Sequence, residues 1–162
     1  MQRNHALLRS IAALVLAVAT FGAQAQASAQ IERGRYMVLT GHCNNCHTAG
    51  YAPKEGNVPE KDWLLGSGPL GWHGPWGTTY ASNLRLNVRD MSEEQWVNYM
   101  KTLKARPPMP NWSIKATTEP DLRAMYQYIK QLGPAGEPAG QYLPPGVEPK
   151  PPYNVQVQVP PK

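Results

Sequence analysis

Residues 43–47 read Cys43-Asn44-Asn45-Cys46-His47, a C-x-x-C-H run that uses both cysteines of the 162-residue chain. This is the attachment signature of c-type haem. Each thiol adds across one vinyl group of the porphyrin to form a thioether. His47, one position past the second thioether, is then held beneath the iron as an axial ligand. A covalently held macrocycle constrains the fold more than any other feature here, because the chain must enclose it and fill the second axial position. Two other chemistries use the same cysteine spacing. A thioredoxin-like redox pair wants a strand before the motif and a helix after it; here a helical pattern precedes it and a Gly/Pro-rich stretch follows. A four-cysteine zinc site needs two further Cys, and the chain has none.

The N-terminus reads as an export signal, which agrees with haem attachment outside the cytoplasm. Arg3 and Arg9 form a positive start, Ser10 to Gly22 form a short apolar run, and Ala23, Ala25, Ala27 and Ala29 give overlapping A-x-A cleavage sites. The expected organisation is therefore a secretory signal peptide over 1–29, a haem domain over 30–133 and a Pro-rich C-terminal tail over 134–162. The tail holds nine of the 17 prolines. Without the signal, 14 Lys/Arg face 11 Asp/Glu, a net charge of +3. The basic residues are scattered rather than interleaved with aromatics, so nucleic acid is not an expected partner. A mild positive face suits an acidic redox partner.

Three helices are predicted. The first runs from about Ile31 to the motif, with Gly34 offering close approach to another helix. The second runs from about Ser92 to Lys104, opening on the Ser92-Glu93-Glu94-Gln95 capping box, with Trp96, Met100 and Leu103 on one face. The third runs from about Glu119 to Leu132, capped by Thr118 and stopped by Gly133-Pro134, with Leu122, Met125, Tyr126, Ile129 and Leu132 in one stripe. The stretch from Ala49 to Asp90 is rich in Gly, Pro and Trp and is expected to have little regular structure. Near the end, Val155-Gln156-Val157-Gln158-Val159 alternates strictly, which predicts a strand able to join a sheet edge of its own or of a partner.

Haem electron carriers commonly add Met as the second axial ligand. Met37, Met100 and Met125 fall on helix stripes and are expected to pack the core. Met109 differs: it sits in Arg106-Pro107-Pro108-Met109-Pro110-Asn111-Trp112, where flanking prolines stiffen the backbone. His73 is the main rival for the sixth position. His42 adjoins Cys43 and is too close to reach the far face.

The order of helix, C-x-x-C-H, irregular loop, helix, Pro-Pro-Met-Pro and terminal helix resembles class I cytochrome c domains over Ile31 to Gly133. It is most similar to the haem domains in cytochrome subunits of membrane-bound bacterial dehydrogenases for alcohols and sugar acids. Gly34-Arg35-Tyr36 and the Gly77-Thr78-Thr79-Tyr80-Ala81-Ser82-Asn83 stretch carry that likeness. The resemblance implies a mainly α cytochrome c fold, with three or more helices and long irregular loops around one covalently bound haem c. It implies attachment at Cys43 and Cys46, His47 and Met109 as iron ligands, and helices one and three crossing near Gly34 and Tyr126 or Tyr128. It implies a proline carbonyl orienting the His47 imidazole, with Pro53, Pro59 and Pro69 as candidates. Trp72, Trp76, Tyr80 and Asn83 are candidate haem-wall or propionate partners. The expected function is a periplasmic one-electron carrier, not itself an enzyme, linking a dehydrogenase to the respiratory chain and passing electrons to a terminal acceptor or oxidase. The alternative is a haem enzyme or gas-binding protein with an open sixth site, for which His73 with Arg85 or Arg89 would be the polar pair. The tail is expected to dock a partner subunit.

Overall fold

A computed structural model describes residues 24–156. The positive and apolar parts of the expected signal, and most of the alternating Val155–Val159 segment, lie outside the described residues. Among the described residues no helix is long and apolar enough to cross a membrane. The elements in chain order are α1 (residues 24–40), α2 (Cys43–His47), a short 3-10 turn (Glu60–Asp62), β1 (Gly71–Gly74), β2 (Gly77–Tyr80), α3 (Leu84–Arg89), α4 (Glu93–Lys101), α5 (Asn111–Ala116), α6 (Glu119–Leu132) and β3 (Tyr153–Val155). The architecture is mainly α with one small sheet.

The long helices start where the sequence provides caps. The Ser92 hydroxyl accepts from the Gln95 amide, and the Gln95 side chain accepts from the Ser92 amide, a complete capping box. Thr118 caps α6 through the Asp121 amide, and Gly133 closes that helix at φ 71°. The apolar stripe of α6 is buried: Leu122, Met125, Tyr126 and Ile129 are all in the core. It packs against α3 and α4. The Trp96 indole reaches across from α4 and donates to the Leu122 carbonyl at 2.9 Å. Met100 and Met125 are buried core residues, and Met37 packs against the same cluster.

α1 crosses α6 at Gly34. A Cβ there would lie 2.0 Å from the Ala124 carbonyl oxygen and 2.8 Å from the Tyr128 Cβ, so only glycine lets the two backbones meet. Tyr128, rather than Tyr126, marks the crossing; Tyr126 donates instead to the Met91 carbonyl. Around the crossing, the Tyr128 hydroxyl donates to Glu60 at 2.6 Å and the Arg35 guanidinium donates to the same carboxylate at 3.1 Å. Arg33 pairs with Asp121 at 2.7 Å.

Two helix ends are closed by side chains from elsewhere. Buried Arg85 of α3 donates to the Leu132 and Gly133 carbonyls at the end of α6, and to the Lys61 carbonyl at 2.7 Å. Lys130 of α6 returns the arrangement, donating to the Val88 and Arg89 carbonyls at the end of α3. A cation at a helix C-terminus meets both the orphan carbonyls and the negative end of the dipole.

The stretch from Ala49 to Asp90 is more regular than expected. β1 and β2 form an antiparallel hairpin with Gly74 opposite Gly77, so Pro75 and Trp76 make a two-residue turn. α3 follows, capped by Asn83. β-branched Thr78 and Thr79 with Trp72 and Tyr80 are strand formers, and the surrounding glycines hide them in a composition that reads as loop. The short α5 after Pro110 was not expected either. The segment after Gly133 folds back over the domain. β3 joins β1 in parallel, giving a sheet of order β2-β1-β3.

G34A is expected to destabilise the protein by about 1–3 kcal/mol in urea unfolding, since the added methyl must push α1 off α6. The Asp121 carboxyl is held below its usual range by its hydrogen bond from Arg33 and then by Thr118. Its contribution is therefore present above pH 3.8 and fades as the pH falls through the lowered native value. D121N should be less stable than the parent at neutral pH, and the gap should narrow in unfolding curves taken progressively below pH 3.8.

Candidate haem site

The C-x-x-C-H motif forms its own short helix, α2, one turn after α1. His42, in the left-handed region at φ 57°, makes the corner between them. The corner buries Asn44 and His47 on one side. Asn44 accepts from the Thr48 hydroxyl at 2.8 Å, and that hydroxyl in turn accepts from the Leu64 amide at 2.8 Å. The Gly66 amide then donates to the His47 carbonyl at 2.8 Å, and the Ser67 amide to the Ala81 carbonyl at 3.1 Å. The chain at 64–67 thus lies between the motif and the 81–84 connection. Gly66, at φ +95°, has no room for a Cβ, which would come 2.9 Å from the Ala81 carbonyl oxygen.

This layering brings Ser82 to the imidazole. His47 Nδ1 lies 2.7 Å from the Ser82 carbonyl. A carbonyl only accepts, so the proton sits on Nδ1 and the lone pair is left on Nε2. The orienting carbonyl is therefore that of Ser82 and not that of Pro53, Pro59 or Pro69. Pro53 and Pro59 precede the Leu64–Ser67 segment and Pro69 follows it, whereas Ser82 stands two residues past the end of β2. Burial holds the imidazole below its usual basicity, and the Ser82 bond offsets this only in part.

A crevice of about 250 Å³ opens beside this ring. Cys46, His47, Trp72, Thr79, Tyr80, Met100, Arg106 and Met109 are among the residues that line it. Its walls are mostly apolar, with Leu84, Leu103, Pro108 and Pro110 adding to them. Met109 comes from the connection between α4 and α5, whose base is tied by Asn111. The Asn111 side chain accepts from the Ala105 amide at 2.9 Å and donates to the Ala105 carbonyl at 2.8 Å. Within that bracket the Met109 amide donates to the Arg106 carbonyl at 3.2 Å. The loop is thus closed on itself, as its proline content suggests.

The other named residues sort clearly. Trp72 and Tyr80 line the crevice. Asn83 does not: it caps α3, and its amide donates to the Ala135 and Glu137 carbonyls. Trp76 lies at the hairpin turn, away from the crevice lining. His42 and His73 are also outside that lining. His73 is on β1, with Nδ1 2.8 Å from the Thr78 hydroxyl. Arg85 is committed to the end of α6, and Arg89 pairs with neighbouring Asp90 at 2.8 Å. The polar pair required by the open-site alternative is therefore not assembled.

Cys43 and Cys46 are not joined to each other by a disulfide. Burial pushes the Cys43 thiol up to about 11 and raises Cys46 as well. A thioredoxin-like nucleophile needs the opposite shift. Among the described residues, no group of three Cys, His, Asp or Glu forms a metal-holding cluster. The groups lining the crevice suit a porphyrin: the Cys46 thiol, an imidazole with a free nitrogen, the Met109 thioether and apolar walls; Cys43, three residues before Cys46 on the same short helix, is outside the lining. Thr79 Oγ1, a buried hydroxyl in the lining, has no protein partner.

Comparison with known proteins agrees with this class of site. The chain is 27% identical over 137 residues to the gluconate 2-dehydrogenase cytochrome c subunit of Pantoea cypripedii, covering 76% of this chain and 28% of the relative. It is 28% identical over 127 residues to the alcohol dehydrogenase (quinone) cytochrome c subunits of Gluconacetobacter polyoxogenes and Komagataeibacter europaeus, covering 70% of this chain and 26% of each relative. The chain is thus a distant relative of dehydrogenase cytochrome c subunits and spans about a quarter of their length. No family profile and no solved structure matches it.

Thr48 is the joint that the motif helix depends on. T48V leaves the Leu64 amide and the Asn44 side-chain oxygen without their partner, at a cost of about 1–3 kcal/mol. Urea unfolding should read that loss, and the Leu64 amide should exchange with deuterium faster than in the parent.

Proposed function

We infer that the chain is an exported one-electron carrier holding a single haem c. Cys43 and Cys46 carry the thioethers, and His47 and Met109 are the axial ligands. The observation that supports this most strongly is the shared crevice, which has Cys46, His47 and Met109 in one lining. Its apolar character adds to the case, as does the kinship with cytochrome c subunits.

When bound, the haem supplies a reversible one-electron change at its iron. The protein's part is positional. Ser82 fixes the His47 tautomer and makes the imidazole a stronger donor. Asn111 and the prolines hold Met109 in place, so that little entropy is lost when its thioether binds. A thioether ligand favours the reduced state and raises the potential. Leu84, Met100 and Leu103 keep water off the face they line. With His47 and Met109 both holding the iron, no position would be left for a substrate, which favours electron transfer over catalysis.

The partner proposed is a dehydrogenase of the kind the relatives serve, with a respiratory acceptor downstream and the periplasm as the compartment. The A-x-A series and the haem-attachment motif support export. Trp112 on α5, two residues beyond the Met109–Pro110 step, is 74% exposed and would lie close to the exchange surface.

The test is the visible spectrum of protein matured with the haem-attachment machinery. The parent should be low-spin, show a weak far-red band when oxidised, and ignore carbon monoxide when reduced. M109A should lose the far-red band and bind carbon monoxide. The haem should stay with the chain through denaturing electrophoresis, and in C43A/C46A it should not. A parent that binds carbon monoxide would instead mean an open sixth site.

A further inference from the structure

The alternation at the C-terminal end predicts a strand on a sheet edge of its own or of a partner, and the described part of the segment is tied down on the chain's own hairpin. The Thr78 amide donates to the Leu143 carbonyl at 2.8 Å, and the Leu143 amide donates to the Thr78 carbonyl at 3.1 Å. Its neighbour Tyr142 donates its hydroxyl to the Trp76 carbonyl at 2.7 Å, across the hairpin turn. Backbone at residue 140 lies against the Tyr80 ring: a Cβ there would be 3.1 Å from it. Further on, the Gly71 amide donates to the Pro152 carbonyl, and β3 pairs with β1 from Gly71–Tyr153 to His73–Val155. These are fixed points on the hairpin, one strand of which supplies Thr79 and Tyr80 to the crevice wall.

One contact leaves the hairpin. The Arg106 guanidinium sits over the Tyr142 ring, 3.8 Å from its centroid. Arg106 opens the loop that carries Met109 and itself lines the crevice. Its own carbonyl accepts from the Met109 amide. Tyr142 therefore touches the hairpin through its hydroxyl and the Met109 loop through its ring, joining the two walls from outside.

We propose that Tyr142 is a positioning residue for the sixth ligand: through Arg106, the C-terminal strap clamps the Met109 loop against the hairpin side of the crevice. The proposal rests on the His47/Met109 reading above. A guanidinium over an aromatic face is attracted by the ring quadrupole. Holding a loop in its ligating conformation lowers the entropy lost when the ligand binds. The clamp thus acts on the equilibrium between Met109 bound and Met109 displaced, without touching the iron.

Exogenous imidazole competes with Met109 for that position, so its apparent affinity for the oxidised, fully matured protein reads the clamp directly. Loss of the far-red band follows the displacement. Removing the ring in Y142L should tighten apparent imidazole binding about fivefold, from loss of the stack and the hydroxyl contact together. Y142F keeps the ring over which Arg106 sits and should recover most of the parent's resistance. R106Q, an exposed change that leaves the strap's strand pairing alone, should tighten binding about threefold, and keeps the test open if Y142L fails to mature. R106Q/Y142L should exceed Y142L by little, because the two residues act through one contact.

A far-red band in the parent with imidazole affinities unchanged in Y142L and R106Q overturns the clamp and leaves Met109 ligation standing. Fully additive effects in the double variant also overturn it, since they assign the residues separate roles. A parent without the far-red band removes Met109 as the ligand, and the clamp with it.

Discussion

The hydrogen bond between His47 Nδ1 and the Ser82 carbonyl, 2.7 Å long, ties the two halves of the site together. On one side stands the motif helix, fixed by Asn44, Thr48 and the Leu64 amide. On the other stands the connection from the hairpin to α3. A backbone carbonyl has one role available, so it decides the imidazole tautomer without any titratable partner. The bond also makes the ring's orientation depend on main-chain geometry. The Gly66 and Ser67 contacts hold that geometry, and no single side-chain change removes the acceptor.

Around this centre the charges do structural work in few places. Arg85 is buried against carbonyls with no carboxylate in direct contact, and desolvation lowers its basicity first of all. Its charge is met by the open end of α6. The half-buried Arg123, which reaches Glu93, Glu94 and Glu119 at the surface, sits where solvent screens its pairs in part. The mild net positive charge is therefore a property of the surface, and the fold itself relies on apolar burial and helix-end capping.

Much of the helical frame could be read from single residues. Ser92 and Thr118 announce their helices because a cap is a local event, complete within four positions. Gly34 announced a close crossing, and Tyr128 is one of the two partners named for it. The hairpin escaped because its strand formers are interrupted by Gly74 and Gly77, which flank the Pro75-Trp76 turn. The carbonyl on His47 was expected from a proline because sequence cannot place a backbone atom thirty-five residues away. The course of the tail was hidden for the same reason. Asn83 with Ala135, Trp76 with Tyr142, and Arg106 with Tyr142 are meetings of single residues far apart in sequence, with no periodicity to betray them.

The pairing of β3 with β1 has a kinetic side. The strands are parallel, so they cannot be joined by a tight turn, and β2 and the helices α3 to α6 all lie between Gly71 and Tyr153. The sheet can be completed only after the helices have gathered, because the loop-closure entropy of so distant a contact must first be offset by the rest of the fold. As it folds, the chain therefore passes through a stage in which β1 has one bare edge. Until β3 arrives, the hairpin that supplies Thr79 and Tyr80 to the crevice wall lacks its third strand.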